Sequence, residues 1–84
     1  MNDVWKKNAL GKIEAIFRDH FLDDNLHISE ATSPADIDEW DSLAHIGLLA
    51  TVETAFAVHF SADDMAEIDS VSSLLAALDR RVNG

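Results

Sequence analysis

Asp41, Ser42 and His45 set an acid, a hydroxyl and an imidazole within five consecutive positions, where the acidic stretch DIDEW gives way to the apolar run LAHIGLL. Nucleophilic catalysis needs the imidazole in hydrogen-bonding reach of the hydroxyl, an orienting acid behind it and an oxyanion hole in a cleft. Neighbouring positions on one helix do not assemble that set, and no glycine-rich turn presents the serine. Metal chemistry fares no better. The segment DIDEWDSLAHIG, from Asp36 to Gly47, superficially has the form of an EF-hand calcium loop. Yet Trp40 stands at its fifth position, Asp41 replaces the turn glycine and Gly47 replaces the closing glutamate. The histidines His20, His27, His45 and His59 are scattered and cysteine is absent, so neither a zinc site nor a thiol nucleophile is expected. Two roles remain for Ser42. With Asp41 it suits a helix N-cap, a common use of both residue types, or it is a hydroxyl held out for a modifying enzyme.

Charge narrows the partners. Six basic residues face sixteen acidic ones, a formal net charge of −10, and such a chain is repelled by nucleic-acid phosphates and anionic membranes. Its expected partners are proteins with basic surfaces. Lys6, Lys7, Lys12 and Arg18 lie near the start and Arg80 and Arg81 near the finish. From Asp19 to Asp79 there is neither lysine nor arginine, and that interval holds fourteen of the sixteen acids. With 48% hydrophobic residues in periodic array the composition is nevertheless globular. No apolar run is long enough to span a bilayer, and the first lysines are interleaved with apolar residues rather than preceding an apolar stretch. A soluble, cytoplasmic monomer is expected, one domain over residues 1–84, short for a large enclosed catalytic pocket and not expected to be an enzyme.

The elements that position Ser42 follow from periodicity. Leu10, Ile13, Ile16, Phe17 and Phe21 recur at helical spacing and predict a first amphipathic helix from about Asp3 to His20. From Leu22 to Asp41 the period fails, predicting a long loop pinned to the core by Leu26, Ile28 and Ile37. A second helix begins at or just after Asp41, with Leu43, Ile46, Leu49, Val52 and Phe56 on the face assigned to the core and Ala44, Gly47, Thr51 and Thr54 opposite. Ser61 to Asp64 fits a capping box before a short third helix carrying Met65 and Ile68. Asp69 or Ser70 caps a fourth, on which Val71, Leu74, Leu75, Leu78 and Val82 share a face, while Arg80 and Arg81 complement its C-terminal dipole. No stretch alternates with period two. The fold class is all-α: a small four-helix bundle with a long loop between helices 1 and 2 and a short third helix.

Asp41-Ser42-Leu43 at the start of an apolar helix, after an acidic loop that follows one amphipathic helix, resembles the acyl carrier protein family. The likeness runs over nearly the whole chain, through LHISEATSPADIDEW, HIGLLATVETAF, DDMAEI and VSSLLAALDRR. It implies that Ser42 carries a phosphopantetheine arm as a phosphodiester, installed from coenzyme A by a phosphopantetheinyl transferase. The arm's thiol then holds acyl intermediates of fatty-acid, polyketide or another specialised pathway as thioesters. It also implies that Asp41 helps position magnesium and coenzyme A during loading; Leu43, one turn from Ile46 on the face assigned to the core, is expected to anchor the serine's backbone while Ser42 points outward. Shielding of the acyl chain falls to Ile46, Leu49, Met65 and Ile68.

The partner surface departs from that family's pattern. Carriers of central fatty-acid synthesis display several acids on the second helix, whereas Glu53 is the acid left on that face here. Docking is therefore expected to lean on packing around Ala44, Gly47, Leu48 and Thr51, with burial at the edge of the core the equal alternative for Leu48, and with acids from the flanking loop and third helix, Glu39, Asp41, Asp63, Asp64 and Glu67. Trp40 joins that surface, and Glu-Trp-Asp-Ser-Leu looks more like the stand-alone carriers of specialised pathways. The alternatives are an aminoacyl or D-alanyl carrier, and an unmodified acidic helical adaptor that binds a basic protein surface.

Overall fold

The computed structural model describes residues 3–83. Helix α1 spans Asp3–His20, α2 Ser42–Phe56, α3 Ala62–Glu67 and α4 Val71–Val82, with a 3-10 turn at Pro34–Asp36 inside the long loop. Among the described residues there is no strand.

Helices α2, α3 and α4 each begin on a side-chain cap. Asp41 takes an extended backbone and accepts the Ala44 N–H at 2.9 Å, which starts α2 at Ser42. Ser61 and Asp64 form the reciprocal capping box expected for α3, with Asp64 N–H donating to Ser61 Oγ at 3.1 Å and Ser61 N–H to Asp64 Oδ2 at 3.0 Å. Ser70, not Asp69, caps α4. Helix α2 ends on Ala57, whose φ of 54° puts it in the left-handed region, and its N–H closes onto the carbonyls of Glu53 and Thr54.

One core joins Ala9, Ile13 and Phe17 of α1, Leu48, Leu49 and Val52 of α2, and Val71, Leu74, Leu75, Ala77 and Leu78 of α4. Phe60 and Ile68 close it on either side of α3. Leu10, Ile16 and Phe21 are only partly buried against it, and Val82 lies largely outside it.

The long loop is a strut. Ile28 and Ile37 are buried and Leu26 packs against the core, as their spacing predicts. Arg18 Nε donates to the Leu26 carbonyl at 2.7 Å, and Ile28 N–H donates to Glu14 Oε2 at 3.1 Å. At its far side the loop receives the first N–H groups of α4, Val71 onto the Thr32 carbonyl at 2.9 Å and Ser72 onto Glu30 at 3.0 Å. Those donors have no acceptor within their own helix, so the loop satisfies them and ties α1 to α4.

Helix α2 is turned differently from the face read off its sequence. Leu48, Leu49 and Val52 face inward, while Leu43 and Ile46 are 81% and 67% exposed. Leu43 therefore cannot anchor Ser42 on the core side. The helix is apolar nearly all round, so burying the Leu48–Val52 sector leaves other large apolar side chains outside.

Candidate functional site

Ser42 is the first residue of α2 and exposed. The N–H groups of Ser42 and Leu43, at the first helical positions, have no acceptor within the helix, and the positive end of the helix dipole lies there. A cleft of about 490 Å³ opens beside the hydroxyl, lined by Pro34, Trp40, Asp41, Ser42, His45, Ile46, Ile68 and Asp69. Three segments meet in it: the end of the long loop, the first turn of α2 and the junction of α3 with α4.

Trp40 is the floor of this arrangement. It is 4% exposed, its ring edge-on to Phe17 with centroids 5.2 Å apart at 85°. Its Nε1–H donates to His45 Nδ1 at 3.0 Å, the two rings meeting edge to edge with centroids 5.8 Å apart and planes at 28°. Trp40 therefore does not offer the partner contact expected of it, because its indole is buried and fixes the loop to α2. The sequence set His45 beside Ser42 only as a candidate triad member. Pro34 and Asp69 carry no sequence signal for the site, because folding alone brings them to a serine distant in the chain.

Several further expectations change. Leu48 is fully buried and presents nothing to a partner. Glu53 Oε2 turns inward to accept the Phe60 N–H at 2.8 Å and pairs with His59 at 3.1 Å, closing the α2–α3 connection rather than facing a partner. Asp64 is 7% exposed and bound by Arg80 and Arg81, so it too leaves the docking set. The two arginines neutralise that carboxylate instead of merely complementing the dipole of α4. At Gly47 an added Cβ would lie 3.2 Å from His20 Cε1. The close approach that glycine permits is made within the molecule, by the last residue of α1.

Outside, the face of α2 carries Leu43, Ile46 and Ala50, with Ala44 half-buried. Thr51 and Thr54 return their hydroxyls to the Gly47 and Ala50 carbonyls at 3.1 and 3.2 Å. Glu39, Asp41, Asp63, Glu67 and Asp69 are exposed around it. Of the expected acyl-shielding residues, Ile46 and Ile68 line the cleft. Leu49 is buried in the core, and the partly exposed Met65 is not among the lining residues.

Among the described residues no group of three or more histidine or acidic side chains converges as a metal site, and no helix is long and apolar enough to cross a membrane. No family model and no curated protein matches the chain. Among solved structures it is similar to the holo acyl carrier protein of Geobacter metallireducens, determined in solution, with a TM-score of 0.80. Identity is 32%, and the match covers 87% of this chain and 84% of that one. With four helices, an exposed serine capped by Asp41 at the start of the second, and this likeness along most of both chains, the protein belongs to the acyl carrier protein family.

Proposed function

We propose that this protein carries acyl groups on a phosphopantetheine arm attached to Ser42. The single observation that supports the attachment point is the exposed Ser42 hydroxyl at the first position of α2, at the mouth of the cleft. The residues there fit the group. Helix N–H donors without intrahelical acceptors suit a phosphodiester, and the same serine lines the cleft. When bound, the arm supplies the thiol that holds the cargo as a thioester, a group the cysteine-free chain lacks. Ile46 and Ile68 offer apolar walls to the arm or its cargo.

Partners are a phosphopantetheinyl transferase and the enzymes that load and process the acyl group, and loading from coenzyme A implies a cytoplasmic setting. Their docking surface is Leu43, Ile46, Ala50 and Ala44, with Glu39, Asp41, Asp63, Glu67 and Asp69 as an acidic fringe. An apolar contact ringed by charge of one sign suits partners that carry an apolar patch with basic neighbours.

The test is intact mass after incubation with coenzyme A, magnesium and a transferase active on a control carrier. The wild-type chain gains one phosphopantetheine and Ser42→Ala gains none. A wild-type chain that gains nothing overturns the reading in favour of an unmodified acidic adaptor.

A further inference from the structure

We propose that His45 is a positioning residue for the prosthetic arm, its Nε2–H donating to the phosphodiester on Ser42. The inference rests on the proposed attachment and adds a residue to it.

The tautomer comes first. An indole nitrogen only donates, so the 3.0 Å contact from Trp40 Nε1 makes His45 Nδ1 the acceptor. A neutral imidazole with an accepting Nδ1 carries its proton on Nε2. Trp40 is buried and braced edge-on against Phe17, so this choice is held by the core rather than by a mobile surface group.

Direction comes next. Ser42 and His45 are three apart on α2, which places their Cβ atoms about 5–6 Å from one another on the same helix surface. Helical side chains lean toward the N-terminus and cover the turn before their own Cα, so the imidazole lies over the turn that begins at Ser42. Both residues line the same cleft.

Electrostatics supplies the need. A phosphodiester brings a negative charge into a cleft whose lining already includes the acids Asp41 and Asp69 and holds no lysine or arginine. Of the nitrogen donors on its side chains, Trp40 Nε1–H is occupied by His45. His45 Nε2–H is the one left to meet the phosphate, alongside the backbone N–H groups of the first turn. In this arrangement Trp40, His45 and the phosphate form a relay that fixes where the arm leaves the protein.

The experiment uses the full chain in apo and holo forms, with loading checked by mass and the His45 ring followed by 15N-resolved NMR. In the holo protein a slowly exchanging Nε2–H signal is expected that is absent from the apo protein. The 31P resonance of the holo phosphodiester is expected to move in His45→Asn, which keeps an acceptor near Trp40 but draws the donor back. His45→Gln, which reaches out with an amide N–H, returns it toward the wild-type position. A loaded wild-type protein whose Nε2–H exchanges as fast as in the apo form overturns the inference while leaving the carrier reading intact, and needs no variant to fold. A 31P resonance unmoved in His45→Asn does the same. A wild-type chain that takes up no arm overturns both.

Discussion

Asp64 sets a nearly buried carboxylate against two guanidinium groups. Its Oδ2 accepts the Ser61 N–H at 3.0 Å and Arg81 Nε at 2.8 Å, and its Oδ1 accepts from Arg80 at 3.3 Å. The Ser61 backbone hydrogen bond, then Arg81, hold its pKa well below the usual carboxylate range; partial burial opposes them, and Arg80 adds to the lowering. As pH falls, the unfolded chain takes up a proton at this position before the folded chain does. The stabilisation is therefore complete above the ordinary carboxylate pKa of about 4 and is lost as pH falls from there through the folded value. Asp64→Asn keeps an oxygen for Ser61 but removes the charge. The variant is expected to melt several degrees below wild type at neutral pH, with the gap closing as the solution is acidified below about pH 4. A gap that stays constant on acidification would assign the loss to packing rather than to charge.

At the scale of elements, α2 closes at the end opposite Ser42 on a residue with positive φ, a backbone state that Leu22 shares among the described residues. Ala57 sits at φ 54°, exposed, where a Cβ costs about 1–2 kcal/mol and glycine costs nothing. Glycine's larger freedom in the unfolded chain returns part of that. Ala57→Gly is expected to raise unfolding stability by roughly 0.5–1 kcal/mol, read as a higher denaturant midpoint at unchanged slope. A lowered midpoint would mean that the methyl packs usefully where it stands. The helices themselves were legible wherever polar and apolar residues separate cleanly. The predicted span of α1 agrees with Asp3–His20, and the capping box at Ser61 follows from short-range chemistry that a sequence displays directly, whereas the cap of α4 was open between Asp69 and Ser70 until the fold chose Ser70. The facing of α2 was not legible, because Leu43, Ile46, Leu48, Leu49 and Val52 cover most of its circumference and only α1 and α4 choose among them. The same limit hid the site's contacts. Asp41 and Ser42 are adjacent and could be found, whereas the clasp of Trp40 on His45 needs the loop's fold, and Asp69 reaches the cleft through the α3–α4 junction.

Across the whole molecule, the bases at the two ends of the chain reach into the acidic interval between them. Lys6 pairs with Glu30 at 2.7 Å, while Arg80 and Arg81 hold Asp64, drawing α1 onto the loop and α4 onto α3. Among the described residues, Glu39, Asp41, Asp63 and Asp69 around the cleft have no lysine or arginine paired with them. A phosphodiester on Ser42, as proposed, would add a further negative charge at the centre of that group. The molecule extends 32 × 27 × 21 Å. At an ionic strength of about 0.01 M the screening length is roughly 30 Å, so each acid feels nearly every other; at about 0.15 M it is roughly 8 Å and only close neighbours interact. Long-range repulsion is therefore screened by salt while the short ion pairs and the core persist. The melting temperature is expected to rise by several degrees over that range and further with millimolar magnesium, and the rise should be larger for the holo protein than for the apo protein. Scanning calorimetry on both forms across the salt series measures it, and a melting temperature indifferent to salt and magnesium would show that long-range repulsion within the acidic interval does not limit stability.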